Sequence, residues 1–265
     1  MDFLEPIVLN SLAAFVFPLC RIGAFLAVFF VIAGNYVPTM VRALLALTFT
    51  VCVLPSVPAV PPDLTTFSVE GLLTVASEVL KGLAMGFMTQ FIAQIFTMAG
   101  QTIAMQTGLG FASLVDPVSG TNAPVVGQFF TILCTLVFFS MNGHLVFFRL
   151  MLESFTTVPV GQDFLPANGL YGIAAFGSFM FQAALAVALS SICTMLIVNF
   201  TLGVMTRAAP QLNIFSLGFA VSMLVGITTL VVSLGAFMGN FTQDLNEIIS
   251  ESCSLIGTSC EDVFQ

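Results

Sequence analysis

The sequence predicts an all-α, polytopic integral membrane protein, on three observations. Of 265 residues, 58% are hydrophobic and only 7% are charged. Mean hydropathy is +1.09. Soluble domains carry roughly 25% charged residues, and a soluble fold of this length cannot hide so much apolar surface. The length then accommodates about six helical spans of some 20 residues with short connections.

Six apolar segments follow in order: Val8–Ala33, Val41–Val60, Gly71–Ala99, Val125–Phe148, Tyr171–Met205 and Leu212–Met238. The N-terminus carries Met1, Asp2 and Glu5 with no basic run, so the first segment is expected to stay rather than act as a cleaved signal. Pro55, Pro58, Pro61 and Pro62 stop the second segment in a stiff extended turn. Pro159, Gly161 and Pro166 mark a further loop. Residues 1–240 read as one membrane domain and 241–265 as a polar, acidic tail, helical only in part.

The net charge of −8 arises from scarce bases, five Lys and Arg in all, which cannot build a track for nucleic acid. Arg42 and Arg207 fall in the first and fifth connections, while acids populate the others. The positive-inside rule then favours both termini outside the cytoplasm, with Arg149 against it. Cys20, Cys52, Cys134 and Cys193 lie in apolar segments as small hydrophobes. Cys253 and Cys260 share the tail, where they pair only if that region faces an oxidising compartment.

Two features separate these helices from ordinary lipid-facing ones. Trp is absent and Tyr occurs only at Tyr36 and Tyr171 beside 29 Phe, so the interfacial aromatic belt is missing. Arg21, Glu78 and Lys81 fall inside apolar segments, where ionisable groups face protein or water unless they snorkel from helix ends. Glu78 and Lys81, three apart, can pair on one helix face. Gln90, Gln94, Thr97 and Gln101 form one polar stripe, either a wet wall or a set of interhelical hydrogen bonds. Gly82-x-x-x-Gly86 and Gly235-x-x-x-Gly239 permit close helix approach.

Chemistry of the catalytic kind has little support. No Ser/His/Asp elbow or zinc-ligand spacing is present, and Gly108-Leu-Gly110 is too short for a phosphate loop. His144 stands alone beside Gly143, suited to packing or capping more than to proton relay. No catalytic, cofactor or metal residue is assigned, and the reading is non-enzymatic.

The most unusual stretch is Gly100–Pro124, whose only charge is Asp116. Irregular backbone in lipid costs several kcal/mol per unpaired group, so such a loop belongs inside protein or along a wet cavity. Gly108 and Gly110 permit shapes closed to other residues, Phe111 and Leu114 offer apolar plugs, Asp116-Pro117 and Ser119–Asn122 read as turns, and Pro124 opens the next helix.

Several blocks then resemble a known family. They are Gln106-Thr107-Gly108-Leu109, Asp116-Pro117, Asn122-Ala123-Pro124, Gln128, Asn142-Gly143-His144, Ser154-Phe155 with Pro159, and Arg207 to Phe215 including Pro210. Arg21, Pro38, Arg42 and Pro55 agree. The resemblance, covering about residues 15 to 238, is to the FliR family of type III secretion export gates. Phe29-Phe30 and Ala220 depart from it, where many relatives carry proline.

That resemblance implies one copy in a closed helical core with FliP and FliQ, associated with FlhB and FlhA, in the bacterial inner membrane at the flagellar basal body. It implies hairpins held largely within protein, so that six apolar segments need not be six crossings. It places a pore plug at Gln106–Asn122, with Gly108, Phe111, Leu114, Asp116 and Pro117 as plug residues, and unfolded export substrates passing an apolar conduit. The injectisome homologue differs only in partners. A secondary transporter and a passive assembly scaffold are the alternatives of another class; the first would need paired halves with midplane charges.

Overall fold

The computed structural model describes residues 4–34, 37–61, 64, 66, 68–110, 125–161, 167–208, 214–258 and 260. Those residues are helical and carry no strand, in the order α1 (Leu4–Val28), α2 (Phe30–Ala33), α3 (Thr39–Val53), α4 (Val69–Thr107), α5 (Val125–Ser140), α6 (Gly143–Thr157), α7 (Ala167–Ala208) and α8 (Ile214–Ile256).

Local chemistry sets most of the boundaries. The first apolar segment is broken at Phe29, and the Phe30 N–H at the break donates to the Thr89 hydroxyl at 3.2 Å. Arg42 donates to the carbonyls of Ala33 and Gly34, closing the end of α2. Pro38 precedes α3, and Pro55 enters a single 3-10 turn at Leu54–Ser56 that ends it. The Ser68 hydroxyl accepts from the Gly71 N–H and caps α4, with Glu70 in its first turn. Asn142, at φ 57°, turns the chain between α5 and α6.

Two sequence expectations change here. The apolar segment ending at Ala99 continues as helix to Thr107, so Gly100–Thr107 is not loop backbone and the irregular stretch starts at Gly108. The segment Val125–Phe148 is two helices bent by 68°, the second reaching Thr157. Helix α8 runs through position 240 to Ile256, so the polar tail is helical in part, as its sequence suggests.

Four described stretches are long and apolar enough to cross a membrane: Thr39–Ser56, Val69–Thr107, Gly169–Ala208 and Gly218–Gly235. The bent α5–α6 pair makes a fifth, whereas Leu12–Val28 is shorter. At 1.5 Å per residue, the 39, 42 and 43 residues of α4, α7 and α8 extend about 60 Å each, twice the hydrocarbon thickness of about 30 Å.

The chain divides into two units. The first comprises Met1–Phe91, Phe139–Phe176 and Glu247–Gln265, the second Ile92–Phe138 and Gly177–Asn246. In the first, Phe148 lies 4.9 Å from Phe49, 5.4 Å from Phe29 and 6.0 Å from Phe25 between ring centroids. Phe17, Ile22, Leu150, Met151 and Phe155 complete that core. In the second, Phe96, Phe130, Phe237 and Phe241 form a fully buried aromatic cluster at 4.6 to 6.0 Å. Such rings bury large apolar areas with preferred tilted geometries.

Candidate functional site

The three ionisable residues of the apolar segments meet in the first unit. Arg21 of α1 donates from Nε to Glu78 of α4 at 2.6 Å. Lys81, one turn along α4, donates to the other Glu78 oxygen at 2.9 Å. The Arg21 Nη1 donates to the Ser154 carbonyl at 2.8 Å and its hydroxyl at 3.2 Å, and Nη2 to the Val158 carbonyl at 2.9 Å. The guanidinium carbon lies 4.4 Å over the Phe155 ring. Arg21 and Glu78 are fully buried and Lys81 nearly so, which removes the reading that they snorkel from helix ends. A planar guanidinium suits this role because its fork satisfies a carboxylate and two carbonyls at once. Arg21 thereby ties α1 to α4 and to the end of α6, where the chain leaves helix before Pro159.

Close backbone approach makes this reach possible. A Cβ on Gly82 would collide with the Arg21 carbonyl, and one on Gly86 would come within 2.8 Å of the Phe25 carbonyl. The first small-residue motif therefore packs α4 on α1. The second finds no such partner among the described residues: a Cβ added at Gly235 or Gly239 would have none of their atoms within 4 Å.

Two members of the polar stripe form hydrogen bonds between helices. Gln90 donates to the Val28 carbonyl at 2.6 Å. Thr97 meets Thr131 of α5 at 2.7 Å. The Gln101 stem packs by Gly127, where a Cβ would approach it to 3.1 Å, and Gln94 alone is exposed. The His144 ring lies 5.0 Å from the Phe139 ring, tilted by 55°, and its Nδ1 is buried with no hydrogen-bond partner among the described residues. Arg207 is exposed in the last turn of α7. No group of His, Cys, Asp and Glu among the described residues suits a metal ion.

The expected plug falls partly outside the described residues, which exclude Phe111, Leu114, Asp116, Pro117, Asn122 and also Pro210. Its first residues are described. Gln106 is exposed on the last turn of α4, and Gly108 follows at φ +78°, a left-handed helix terminus that favours glycine. Gly110 is half-buried in the short turn after it.

The base of this loop is held on three helices of the second unit. A Cβ at Gly100 would lie 2.8 Å from the Gly127 Cα, so α4 and α5 touch backbone to backbone. A Cβ at Gly226 of α8 would lie 2.5 Å from the Thr107 Cβ, and Phe219 lies against Gly108. The loop thus leaves and re-enters a packed three-helix junction.

Sequence spacing missed three participants, namely Ser154, Phe155 and the Val158 carbonyl. They stand more than 130 positions from Arg21. No local pattern pairs residues at such separation.

Long apolar helices, glycine-mediated packing and a buried ion cluster define a multi-pass helical membrane protein built on close helix contact. The chain belongs to the bacterial export proteins, family 1, whose pattern matches residues 12–248. It is similar to the flagellar biosynthetic protein FliR of Escherichia coli (strain K12), 35% identical over 237 residues, 89% of this chain and 90% of the relative. The FliR proteins of Pectobacterium carotovorum subsp. carotovorum and of Aquifex aeolicus (strain VF5) are 33% and 30% identical, over 83% and 86% of this chain and 84% and 89% of theirs.

Proposed function

We propose that this protein is a subunit of the flagellar protein export apparatus, forming with FliP and FliQ a closed gate in the bacterial inner membrane through which unfolded proteins pass. FlhB and FlhA-type subunits adjoin it. The stretch Gln106–Asn122 is the plug of the resting pore. The protein itself is not an enzyme, and the energy for export comes from other subunits.

One observation carries the plug reading. The 17 residues between α4 and α5, more than most connections in packed domains carry, start from a junction where α4, α5 and α8 leave no room for a Cβ at Gly100 or Gly226. Such a base fixes where the chain leaves α4 and where it enters α5. An apolar lumen with few charges suits a sequence-tolerant conduit, since passage requires entry without trapping.

The test is deletion of residues 108–117 in the assembled complex. The expected result is membranes that leak small ions at rest while FliP and FliQ still co-purify. Unchanged conductance with an intact assembly overturns the plug.

A further inference from the structure

Cys253 and Cys260 are joined by a disulfide, with their Cα atoms 5.8 Å apart. The fold brings them together for a local reason. Helix α8 ends at Ile256, and Gly257 adopts φ +70°, so the chain turns back on itself. The Thr258 N–H donates to the Cys253 carbonyl at 3.0 Å and the Gly257 N–H to the Ser254 carbonyl at 3.2 Å. This reversal, which glycine permits, returns Cys260 to the face of α8 that carries Cys253. Ile248, Ile249, Cys253, Leu255 and Ile256 are buried there, so the bridge closes onto a packed surface.

The other end of the same hairpin carries the opposite signal. Arg207, exposed at the end of α7, is the last basic residue of the chain. Between Arg207 and the cysteines lies the apolar stretch Gly218–Gly235, long enough for one crossing. Beyond that stretch come Asp244, Glu247, Glu251, Glu261 and Asp262 and no Lys or Arg. Basic residues remain on the cytoplasmic side of a span, and disulfides persist on the oxidising side. Both rules orient α8 the same way. Arg149, which opposed this orientation in the sequence, is ion-paired to Glu153 at 3.3 Å.

We propose that Cys253 and Cys260 are a dithiol–disulfide modification site on the non-cytoplasmic face, oxidised by a protein disulfide oxidant of the cell envelope. Cys260 is half-buried and Cys253 almost fully buried, so the Cys260 thiolate reacts first. It attacks one sulfur of the oxidant's disulfide and displaces the other as a thiolate, giving a mixed disulfide. The Cys253 thiolate then attacks the Cys260 sulfur and displaces, as a thiolate, the oxidant sulfur bonded to it in the mixed disulfide. Two electrons and two protons pass to the oxidant, which leaves as the dithiol. The bridge locks the reversal after α8 and fixes the residues around it against Ile249 and Ile256. This inference stands apart from the pore reading, since a leak measurement does not depend on it.

The experiment traps thiols in acid-quenched cells carrying the full chain in its assembly, then follows the peptide spanning Cys253–Cys260 by mass spectrometry. Without reductant the peptide should be unalkylated and lighter by the mass of the two hydrogens lost. After reduction it should gain two alkyl groups. Cys253→Ser, which removes one partner, should leave Cys260 alkylated without reductant. In spheroplasts, a membrane-impermeant reductant and maleimide should label both positions before lysis. Two free thiols in quenched wild-type cells overturn the bond, and labelling only after lysis overturns its placement.

Discussion

At the scale of single residues, Glu78 matters most in the first unit, because two cations converge on its carboxylate. Removing one partner of a buried pair leaves the other charges uncompensated, which typically costs about 3–5 kcal/mol. Glu78→Ala should therefore lower thermal stability sharply in detergent-solubilised protein. Arg21→Met, Glu78→Leu and Lys81→Met together should recover most of the loss, since a well-packed apolar replacement is often neutral. A triple variant no more stable than Glu78→Ala would show that the cluster does more than hold α1, α4 and α6 together.

Asp244 gives a second residue-scale expectation. It lies beyond the apolar stretch of α8, and burial pushes its carboxyl from an ordinary 3.8 up to about 6. Its Oδ2 has no hydrogen-bond partner among the described residues. A raised folded-state value means that the native protein holds a proton the unfolded chain has released. The resulting loss of stability builds up as pH rises from about 4 to about 6 and is complete above that. Asp244→Asn should accordingly melt at higher temperature than the wild type at pH about 7.5, with the gap closing toward pH about 4. A gap that is constant across that range would assign the effect to something other than the proton.

At the scale of elements, glycine positions discriminate between packing inside the chain and an open face. Gly82→Ala drives a methyl group into the Arg21 carbonyl, and relief requires α1 and α4 to separate. Overpacking of this kind costs about 1–3 kcal/mol and here should also loosen the ion cluster. Gly235→Ala meets open space and should leave the stability of the isolated chain unchanged, or slightly raised through helix propensity. Thermal melts of both variants, measured side by side in detergent, check the contrast; equal losses would mean that the two motifs pack alike.

The whole molecule presents two kinds of helix. Of the apolar window of α4, 61% of residues are buried, against 33% for α7 and 17% for the α8 stretch. Phe181, Leu185, Leu196, Ile197 and Phe200 of α7 are exposed, as are Leu224, Val231 and Val232 of α8. Exposed apolar area on this scale belongs against lipid or other protein. The cysteines report it: Cys52 and Cys193 are exposed, whereas Cys134 is buried in the second unit. A small lipid-soluble maleimide should label Cys52 and Cys193 of the solubilised chain and spare Cys134. Labelling of Cys134 at a comparable rate would show that the helices around Phe130 and Phe138 open readily.

Composition and segment length were enough for the class, since 58% hydrophobic residues in long runs admit no water-soluble arrangement, and in lipid helices satisfy their own backbone groups. The family blocks and Gly82-x-x-x-Gly86 were likewise legible, because both depend on residues near each other in the chain. What the sequence could not settle depends on distant pairings. Helix propensity did not separate Gly100–Thr107 from the loop that follows; contact with Gly127 and Gly226 did. Whether Arg21, Glu78 and Lys81 snorkelled or met was decided at the end of α6, where Ser154 and the following Val158 complete the cluster. Within the polar stripe, only the tertiary structure set Val28 opposite Gln90 and Thr131 opposite Thr97. A one-dimensional pattern names the face of a helix, but the energy of a buried charge or amide depends on what stands across from it, and only the tertiary structure supplies that partner.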